Sequence, residues 1–163
     1  MRNLKDIADR VAIEALRAEF TDAGMMRDYD RFASLFTRDG AWRMPHVGVV
    51  FNSREEIRNG IERLRGLWEY AVQNVHPGAL RVEGDIAVGR AYIAEFGRLL
   101  DGRSHLNYAV YHDGYQRTPD GWRFAERVYE ILYVDTTPLA GSAPPAAGAP
   151  ANTAVGDRPM WKL

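Results

Sequence analysis

The spacing of apolar residues changes once along this chain, near Gly78, from steps of three and four to alternation. Steps of three and four indicate amphipathic helices, whereas alternation indicates strands with one buried face. Helices that precede a run of antiparallel strands favour an α+β domain, in which the helices cover one face of the sheet. The 163 residues, 46% of them apolar, suffice for one such domain and are too few for two ordinary ones.

Three helices are predicted before Gly78. The first has an apolar face that includes Leu4, Ile7, Val11 and Leu16 and continues through Phe20 toward Met25. The segment DYDRFASLF predicts a short second helix, and the strands AWRMP and GVVF follow it. The segment SREE, which starts at Ser53, is a capping box and predicts a third helix that reaches Trp68.

Long strands are predicted after Gly78. The segment ALRVEGDIAVGRAYIAEFG contains two strands around a tight turn, and SHLNYAVYHDGYQR and WRFAERVYEILYV are two more. From Thr136 onward the composition is dominated by Ala, Pro, Gly, Ser and Thr, which cannot bury enough apolar surface to order itself. We therefore predict a domain over residues 1–135 and an extended tail over residues 136–163.

Composition excludes several classes of function. The net charge is −1 and the basic residues are scattered, so no nucleic-acid surface is expected. The absence of cysteine excludes disulfides, thiolate-bound zinc and cysteine nucleophiles, and the four histidines are not spaced as metal ligands. The charged segment MRNLKDIADR is not a signal peptide, and no apolar run approaches the roughly 20 residues that span a bilayer. We expect a cytoplasmic protein without metal, cofactor or membrane partner.

Several segments together resemble a known family. The segments AIEAL, DYDRFASLFTRDGAW, GDIAVGRAY, YHDGYQRTPDGWRFAERVYEILY and TPLAG occur in this order over most of positions 7 to 141. They resemble the SnoaL-like branch of the nuclear-transport-factor-2-like superfamily, and within it the group of scytalone dehydratases and hexachlorocyclohexane dehydrochlorinases. The resemblance implies a cone-shaped α+β fold of about three helices on a strongly curved, mostly antiparallel sheet, with a deep pocket between them.

The resemblance also implies a site. Enzymes of this group use an aspartate near the end of the first helix to orient a histidine that removes a proton from the substrate. By resemblance His76 corresponds to the histidine, Trp42 and Met44 to pocket walls, and Arg127 to an arginine on the last strand. The aspartate position is occupied here by Met25, and a family lysine is replaced by Phe20, so dehydrochlorination itself is not transferred to this chain.

The residues themselves leave the role of His76 open. A histidine beside Pro77-Gly78 either stabilises a turn or acts as a general base. Glu95 falls on an apolar strand face and needs a partner, which is either His76 or Arg127. Asp22 is either a second candidate partner of His76 or an exposed helix carboxylate.

Strand alternation, with the resemblance to choose the face, predicts the rest of the pocket. Asn107, Tyr111 and Arg127 are candidate donors to a developing anion or leaving group. The substrate-binding residues are predicted as Tyr111, Asn107, Trp42, Met25, Met44, Tyr29 and Ile131. The opposite face carries Tyr92, Phe96 and Tyr108, which are aromatic enough for a subunit interface.

Three functions compete. The first is a cofactor-independent lyase or isomerase that acts on a small hydrophobic, aromatic or polycyclic molecule, with His76 as base and Glu95 or Asp22 as its helper. The second is a non-catalytic binding or accessory protein, which the loss of the family aspartate favours. The third is a polyketide cyclase or epoxide hydrolase, which needs two pocket acids and has Glu95 and Asp113 as candidates. The resemblance further implies a homo-oligomer, a trimer rather than a dimer.

Overall fold

Three helices lie against one six-stranded sheet in the computed structural model, which describes residues 4–142. The helices α1, α2 and α3 span Leu4–Met26, Tyr29–Ser34 and Arg54–Arg65; the strands β1 to β6 span Phe36–Met44, Val49–Phe51, Trp68–Glu83, Ile86–Leu99, Ser104–Thr118 and Gly121–Asp135. The strand order is β2-β1-β6-β5-β4-β3. Strand β1 runs parallel to β6, and the other neighbouring pairs are antiparallel. The predicted α+β class, with three helices on a mostly antiparallel sheet, is confirmed.

Short-range signals explain where the second and third helices begin. The Asp28 side chain accepts a hydrogen bond from the Arg31 backbone NH, and the Ser53 hydroxyl accepts one from the Glu56 NH, both at 3.1 Å. These side chains satisfy backbone donors that the first helical turn leaves free. The carboxylate of Glu56 reaches back to the NH of Asn52 at 2.8 Å, one residue before the expected Ser53.

The buried face of α1 differs from the predicted one in the first half of the helix, whereas Leu16 and Phe20 are buried as predicted. Leu4, Ile7 and Val11 are 85%, 48% and 64% exposed. The helix instead buries a stripe made of Asp9, Ile13, Leu16, Arg17, Phe20 and Ala23. Two charged residues lie in this stripe because each finds a charged or polar partner inside the domain, an outcome that apolar spacing alone does not reveal.

The segment around QNVHPG is not a turn between a helix and a strand. Helix α3 ends at Arg65 and β3 already begins at Trp68, so residues 73–78 lie within a long strand. The pairing of β3 with β4 shifts between Pro77 and Leu80. Pro77 and Gly78 therefore mark an irregularity inside the strand, which is where proline is tolerated in a sheet.

The inner face of the sheet follows the predicted alternation until near the end of β6. Ala91, Ile93, Ala109 and Tyr111 are all at most 2% exposed. Tyr133, which alternation from Arg127 through Tyr129 and Ile131 predicts on the same inner face, is 54% exposed. Its partner is Tyr108 while Ile131 pairs with Ala109, so β6 carries one extra residue there and the later side chains change face.

The predicted tail begins where β6 ends, at Asp135, and residues 136–142 contain neither helix nor strand. They contact the first residues of β5 and β3. The Leu139 NH donates to the Ser104 hydroxyl at 3.1 Å, and the Tyr70 hydroxyl donates to the Gly141 carbonyl at 3.2 Å. The rest of the predicted tail lies outside the described residues. Among the described helices, none has the length and apolar character that crossing a bilayer requires.

Candidate active site

A half-buried carboxylate, Glu95, is the centre of a polar cluster on the inner face of the sheet. Its Oε1 accepts hydrogen bonds from the Tyr129 hydroxyl, at a very short separation, and from Asn107 Nδ2 at 3.3 Å. Its Oε2 accepts one from Gln73 Nε2 at 2.8 Å. Strand register brings these groups together, because Glu95 lies opposite Gln73 on β3 and opposite Asn107 on β5.

Helix α1 fixes the orientation of this cluster from the other side. The Thr21 hydroxyl donates to Gln73 Oε1 at 3.1 Å, which directs the amide NH2 of Gln73 toward Glu95. Oε1 of Glu95 therefore has two donors and Oε2 has one. A carboxylate offers about four lone-pair positions, so Oε2 keeps capacity to accept a further proton or hydrogen bond.

Two tyrosines near the cluster, Tyr129 and Tyr111, are held in the neutral form. Burial, and next the negative charge of Glu95, raise the pKa of the Tyr129 hydroxyl above its ordinary range. Burial is also the main cause that raises the pKa of Tyr111. The two rings lie 5.0 Å apart between centroids. Since both phenols keep their protons near neutral pH, Tyr129 can hold its hydrogen bond to Glu95 over the whole physiological range.

His76, the predicted base, lies on the opposite face of the sheet. It is exposed, and its partner on β4 is Tyr92, which is 43% exposed. Gln73 and His76 are three positions apart along a strand without an irregularity between them, so their side chains point to opposite faces. The predicted contact of His76 with Glu95 is therefore wrong. It failed because residues 73–78 were interpreted as a turn, in which alternation does not apply.

Asp22 is not a partner of His76 either. Its side chain is 55% exposed and forms a short ion pair with Arg31, which also contacts Glu19. The exposed-carboxylate alternative is the one that the structure supports. Asp22 leaves the candidate site because its side chain points toward Arg31 of α2 and solvent, whereas that of its neighbour Thr21 points toward the sheet.

Arg127 is sealed in the interior instead of lining an open pocket. It is 1% exposed, and its Nε and Nη2 donate to the Asp113 carboxylate at 2.7 and 3.1 Å. The Tyr115 hydroxyl donates to the same carboxylate at 2.6 Å and accepts from Arg17 Nε at 2.6 Å. The predicted pairing of Arg127 with Glu95 is therefore wrong. Arg127 also has no open path to a substrate.

Phe20, which replaces the family lysine, packs among aromatic side chains of the core. Its ring centroid lies 5.9 Å from that of Trp42 and 5.6 Å from that of Tyr111. The guanidinium carbon of Arg127 lies 4.2 Å from the Phe20 centroid and 3.9 Å from the Tyr111 centroid. Trp42 and Tyr111 are 4% and 2% exposed, so they belong to the core and not to an open wall.

The other predicted wall residues keep partial exposure. Tyr29, Met44 and Ile131 are partly buried and pack against the core, and Met25 is half-buried at the end of α1. Two surface depressions lie elsewhere: one beside Arg90 and His112 on the outer face of the sheet, and one beside Arg54 and Asp30 between α2 and α3. Neither is lined by Glu95.

Sequence reasoning missed Gln73, Tyr129 and Thr21 as members of the cluster. Tyr129 shares the predicted inner face of β6, and only the register across three strands shows that it reaches Glu95. Gln73 would have been found by extending β3 to Trp68 and pairing it with β4. Thr21 carries no sequence signal, because its role depends on how α1 crosses the sheet.

Comparisons with known proteins agree with this architecture. The model of the SnoaL-like domain family matches residues 5–128. Gamma-hexachlorocyclohexane dehydrochlorinase of Sphingobium indicum is 30% identical over 154 residues, which is 89% of this chain and 94% of the relative. The crystal structure of a hexachlorocyclohexane dehydrochlorinase from Novosphingobium barchaimii matches with a TM-score of 0.78 and 26% identity, over 88% of this chain and all of the other. A candidate scytalone dehydratase from Novosphingobium aromaticivorans, 16% identical with a TM-score of 0.73 over 87% of this chain and 96% of its own, shares the fold.

The fold and the inward polar cluster together define an α+β domain whose helices and sheet enclose a small polar centre in apolar surroundings. The chain belongs to the SnoaL-like family.

Proposed function

We propose that this protein is a cofactor-independent lyase or isomerase in which Glu95, rather than His76, removes a proton from a small hydrophobic substrate. Glu95 is half-buried, it is held by three donors, and its Oε2 retains room for a proton. The dehydrochlorinase relatives, which eliminate hydrogen chloride by name, support this class of reaction. The observation that carries the proposal is the convergence of Gln73, Asn107 and Tyr129 on this one carboxylate.

The reaction is a base-promoted elimination or proton shift. Oε2 of Glu95 takes the proton of a substrate C–H bond, and the electron pair of that bond forms a carbon–carbon double bond. In an elimination the leaving group departs with its own bonding pair. In an isomerisation the substrate already has an adjacent double bond, whose electron pair takes the proton back from Glu95 at the far carbon as that double bond is lost. The apolar surroundings exclude water and strengthen the polar contacts of the site. Asn107 and Tyr129 hold the carboxylate in position while it changes charge.

The test is the isosteric change Glu95→Gln. The protein is incubated in D2O with phenolic, steroidal and polyketide compounds and with γ-hexachlorocyclohexane, and mass spectrometry follows deuterium uptake and loss of water or hydrogen chloride. Glu95→Gln is expected to lower turnover about 10²–10⁴-fold, the range for a general base. The free energy of unfolding should change little, because the amide oxygen of the new glutamine still accepts a hydrogen bond from Tyr129.

Two further variants separate this proposal from its competitors. Glu130→Gln removes an exposed carboxylate that pairs with His112 on the outer face, and it should leave turnover unchanged. His76→Ala should also keep turnover. If His76→Ala lost activity and Glu95→Gln kept it, the assignment of the base to Glu95 would be wrong.

A second candidate function is the binding of a small hydrophobic molecule without catalysis. The specific observation in its favour is that Phe20, which replaces the family lysine, is an apolar core residue packed among Phe32, Phe36, Trp42, Tyr111 and Phe124. This function would be favoured by a ligand that raises the melting temperature of both the wild type and Glu95→Gln and is recovered chemically unchanged from each. The cyclase or epoxide hydrolase alternative loses support because Asp113, its second acid, is enclosed by Arg127 and Tyr115.

We also propose that the protein assembles into a homotrimer through the outer face of the sheet. The supporting feature is a group of aromatic side chains, Tyr92, Phe96, Tyr108 and Tyr133, that are 43%, 40%, 52% and 54% exposed. Clustered exposed aromatics of this kind are typical of interfaces. A dimer through the same face is the alternative.

A further inference from the structure

Thr21 reaches the Glu95 cluster through Gln73. It lies within α1, and its hydroxyl donates to Gln73 Oε1 at 3.1 Å, across 52 positions of the chain. A threonine inside a helix commonly gives its hydroxyl proton to the backbone carbonyl four residues earlier. A hydroxyl has one proton, so the proton that Thr21 gives to Gln73 is not given to the helix. The contact therefore joins α1 to the cluster by one directed hydrogen bond.

The direction of that hydrogen bond decides how the Gln73 amide is turned. With Oε1 accepting from Thr21, Nε2 faces Glu95 and donates to its Oε2 at 2.8 Å. If the amide were rotated by half a turn, Oε1 of Gln73 would face the carboxylate oxygen, and two acceptors would oppose each other without a proton between them. The hydroxyl proton of Thr21 and the charge of Glu95 thus select the same orientation of the amide.

Gln73 also defines the free side of Oε2. Tyr129 and Asn107 both donate to Oε1 of Glu95, whereas Gln73 donates to Oε2. A carboxylate oxygen offers about two lone-pair positions, so the hydrogen bond from Gln73 leaves one direction of Oε2 open to a substrate proton. Strand register places Gln73 beside Glu95, but register fixes the backbone and not the amide. The orientation of the amide depends on Thr21.

A second hydrogen bond holds α1 on the same strand, away from Glu95. Arg10 Nη2 donates to the Leu80 carbonyl at 2.7 Å, toward the end of β3. The contacts of Arg10 and Thr21 both attach the helix to β3, and the one from Thr21 continues to the carboxylate. If Thr21 served merely to attach the helix, the two contacts would be equivalent, which makes Arg10 a matched control.

We propose that Thr21 is a positioning residue for the base: through Gln73 it fixes the direction from which Oε2 of Glu95 takes the substrate proton. The inference rests on the proposed function and adds to it a residue of the helix layer. Proton transfer depends strongly on direction, because a misplacement of about 1 Å at a reacting group can cost about 100-fold in rate. An amide that rotates freely would hold Oε2 for only part of the time.

NMR measures the orientation of Gln73 independently of turnover. Gln73 and Gln116 are the two glutamines of the chain, and Gln116 is exposed. Isotope labelling of the glutamine side-chain nitrogens in the full-length protein gives two pairs of amide signals, and the Gln73 pair is assigned by its loss in Gln73→Leu. In the wild type one Gln73 proton should resonate downfield of the Gln116 protons. It should also exchange with solvent at least about tenfold more slowly, because it is bonded to a carboxylate.

Thr21→Val keeps the shape of the side chain and removes the hydroxyl. It should move the Gln73 signals toward those of Gln116 and remove most of the protection from exchange. Thr21→Ser retains a hydroxyl and should preserve the wild-type signals. Arg10→Met, which removes the other hydrogen bond between α1 and β3, should preserve them as well. Thr21→Ala serves if Thr21→Val does not fold.

Turnover tests the consequence for catalysis, with a compound that the wild type converts. Thr21→Val is expected to lower kcat about tenfold and to leave KM within about threefold, because the base is misdirected while substrate binding is unaffected. Adding Thr21→Val to Gln73→Leu should change kcat less than about twofold, since Thr21 acts through a residue that is already lost. Thr21→Ser should retain most of the wild-type kcat, and Arg10→Met should match the wild type.

The outcomes separate this inference from the proposed function. Gln73 signals that are unchanged in Thr21→Val, or that move equally in Thr21→Val and Arg10→Met, overturn the inference. A full effect of Thr21→Val in the Gln73→Leu background also overturns it. If Glu95→Gln loses turnover while Thr21→Val keeps the wild-type kcat, the proposed function stands and the inference fails. If Glu95→Gln keeps turnover, or the wild type converts no compound, the proposed function fails, and the NMR signals alone decide whether Thr21 orients Gln73.

Discussion

Two aspartates on the inside of the domain each hold an arginine. Asp113 binds Arg127 within the core, and Asp9, on the buried side of α1, lies 2.6 Å from Arg117 Nη2. Trp122 Nε1 also donates to Asp9, at 3.2 Å. These contacts connect α1 and the far end of the sheet through charge rather than through apolar packing alone. Removing one member of a buried pair is costly because its partner keeps an uncompensated charge.

Asp9→Asn is expected to destabilise the domain by about 1–3 kcal/mol at pH 7, since Arg117, Trp122 and Lys5 lose a charged acceptor. The hydrogen bond from Arg117 is the largest cause that lowers the pKa of Asp9, from 3.8 to about 2. A carboxyl whose pKa is lower in the folded state stabilises the fold above its unfolded pKa and loses that effect as pH falls through the folded pKa. The difference between wild type and variant should therefore be complete above pH 3.8 and shrink toward pH 2.

Urea unfolding followed by circular dichroism at several pH values measures this difference. Asp120→Asn, in the exposed turn between β5 and β6, is the control and should stay within about 0.5 kcal/mol of the wild type. A variant at position 9 as stable as the wild type at pH 7 would show that the ion pair contributes nothing to folding.

At the scale of elements, α3 packs closely against the short strand β2 because Gly60 has no side chain at the contact. A Cβ built on Gly60 would lie 2.2 Å from the Phe51 ring, whereas one on Gly24 in α1 would meet Phe32 at an ordinary 3.6 Å. Phe51 is 7% exposed, so its ring is packed on nearly all sides. The close approach explains a glycine in the middle of a helix, where it otherwise lowers helix stability.

The pair Gly60→Ala and Gly24→Ala should therefore change stability in different ways. Both gain helix propensity, worth at most about 1 kcal/mol. Only Gly60→Ala forces the Phe51 ring to shift, at a cost of about 1–3 kcal/mol for overpacking. Thermal unfolding should show a lower midpoint for Gly60→Ala and an unchanged or higher one for Gly24→Ala. Equal midpoints would mean that β2 adjusts freely.

Element type was predictable from the sequence where the apolar period was unambiguous, and side-chain contacts were predictable only where register was known. Alternation, with the resemblance to choose the face of each strand, places Glu95, Asn107 and Tyr111 on one face, as the structure has them. The start of β3 was missed because Trp68 also fits the helical spacing of α3. The resulting error at His76 shows that a wrong boundary inverts a whole strand, since alternation has a period of two. The pairing of Arg127 with Asp113 depends on the register of β5 and β6, which single-strand patterns do not contain.

At the scale of the whole molecule, the sheet has one face covered by helices and one that carries exposed aromatic rings. Tyr108 and Tyr133 lie beside each other there, with ring centroids 6.2 Å apart. A chain of this size with such a face is expected to associate, because burying it removes apolar surface from water.

Size-exclusion chromatography with light scattering should give three times the protomer mass of 18.4 kDa for the wild type. Tyr108→Glu should shift the mass toward that of the protomer, because a carboxylate would be buried without a partner in the interface. Val50→Glu, an exposed position on β2 at the other end of the sheet, is the control. A wild type that runs as a uniform monomer contradicts the proposed assembly, and a mass of two protomers selects the dimer.

The extra residue between Ile131 and Tyr133 divides β6 into two parts that face different surroundings. Up to Ile131, Arg127 and every second residue after it point to the interior. Tyr133, which would continue this series, points outward instead. Drift in the second half of the strand can therefore remodel the exterior without disturbing the packing of the first half. In such a strand, substitutions that alter the contacts of the outer face and substitutions that alter the polar cluster of the inner face can accumulate independently during evolution.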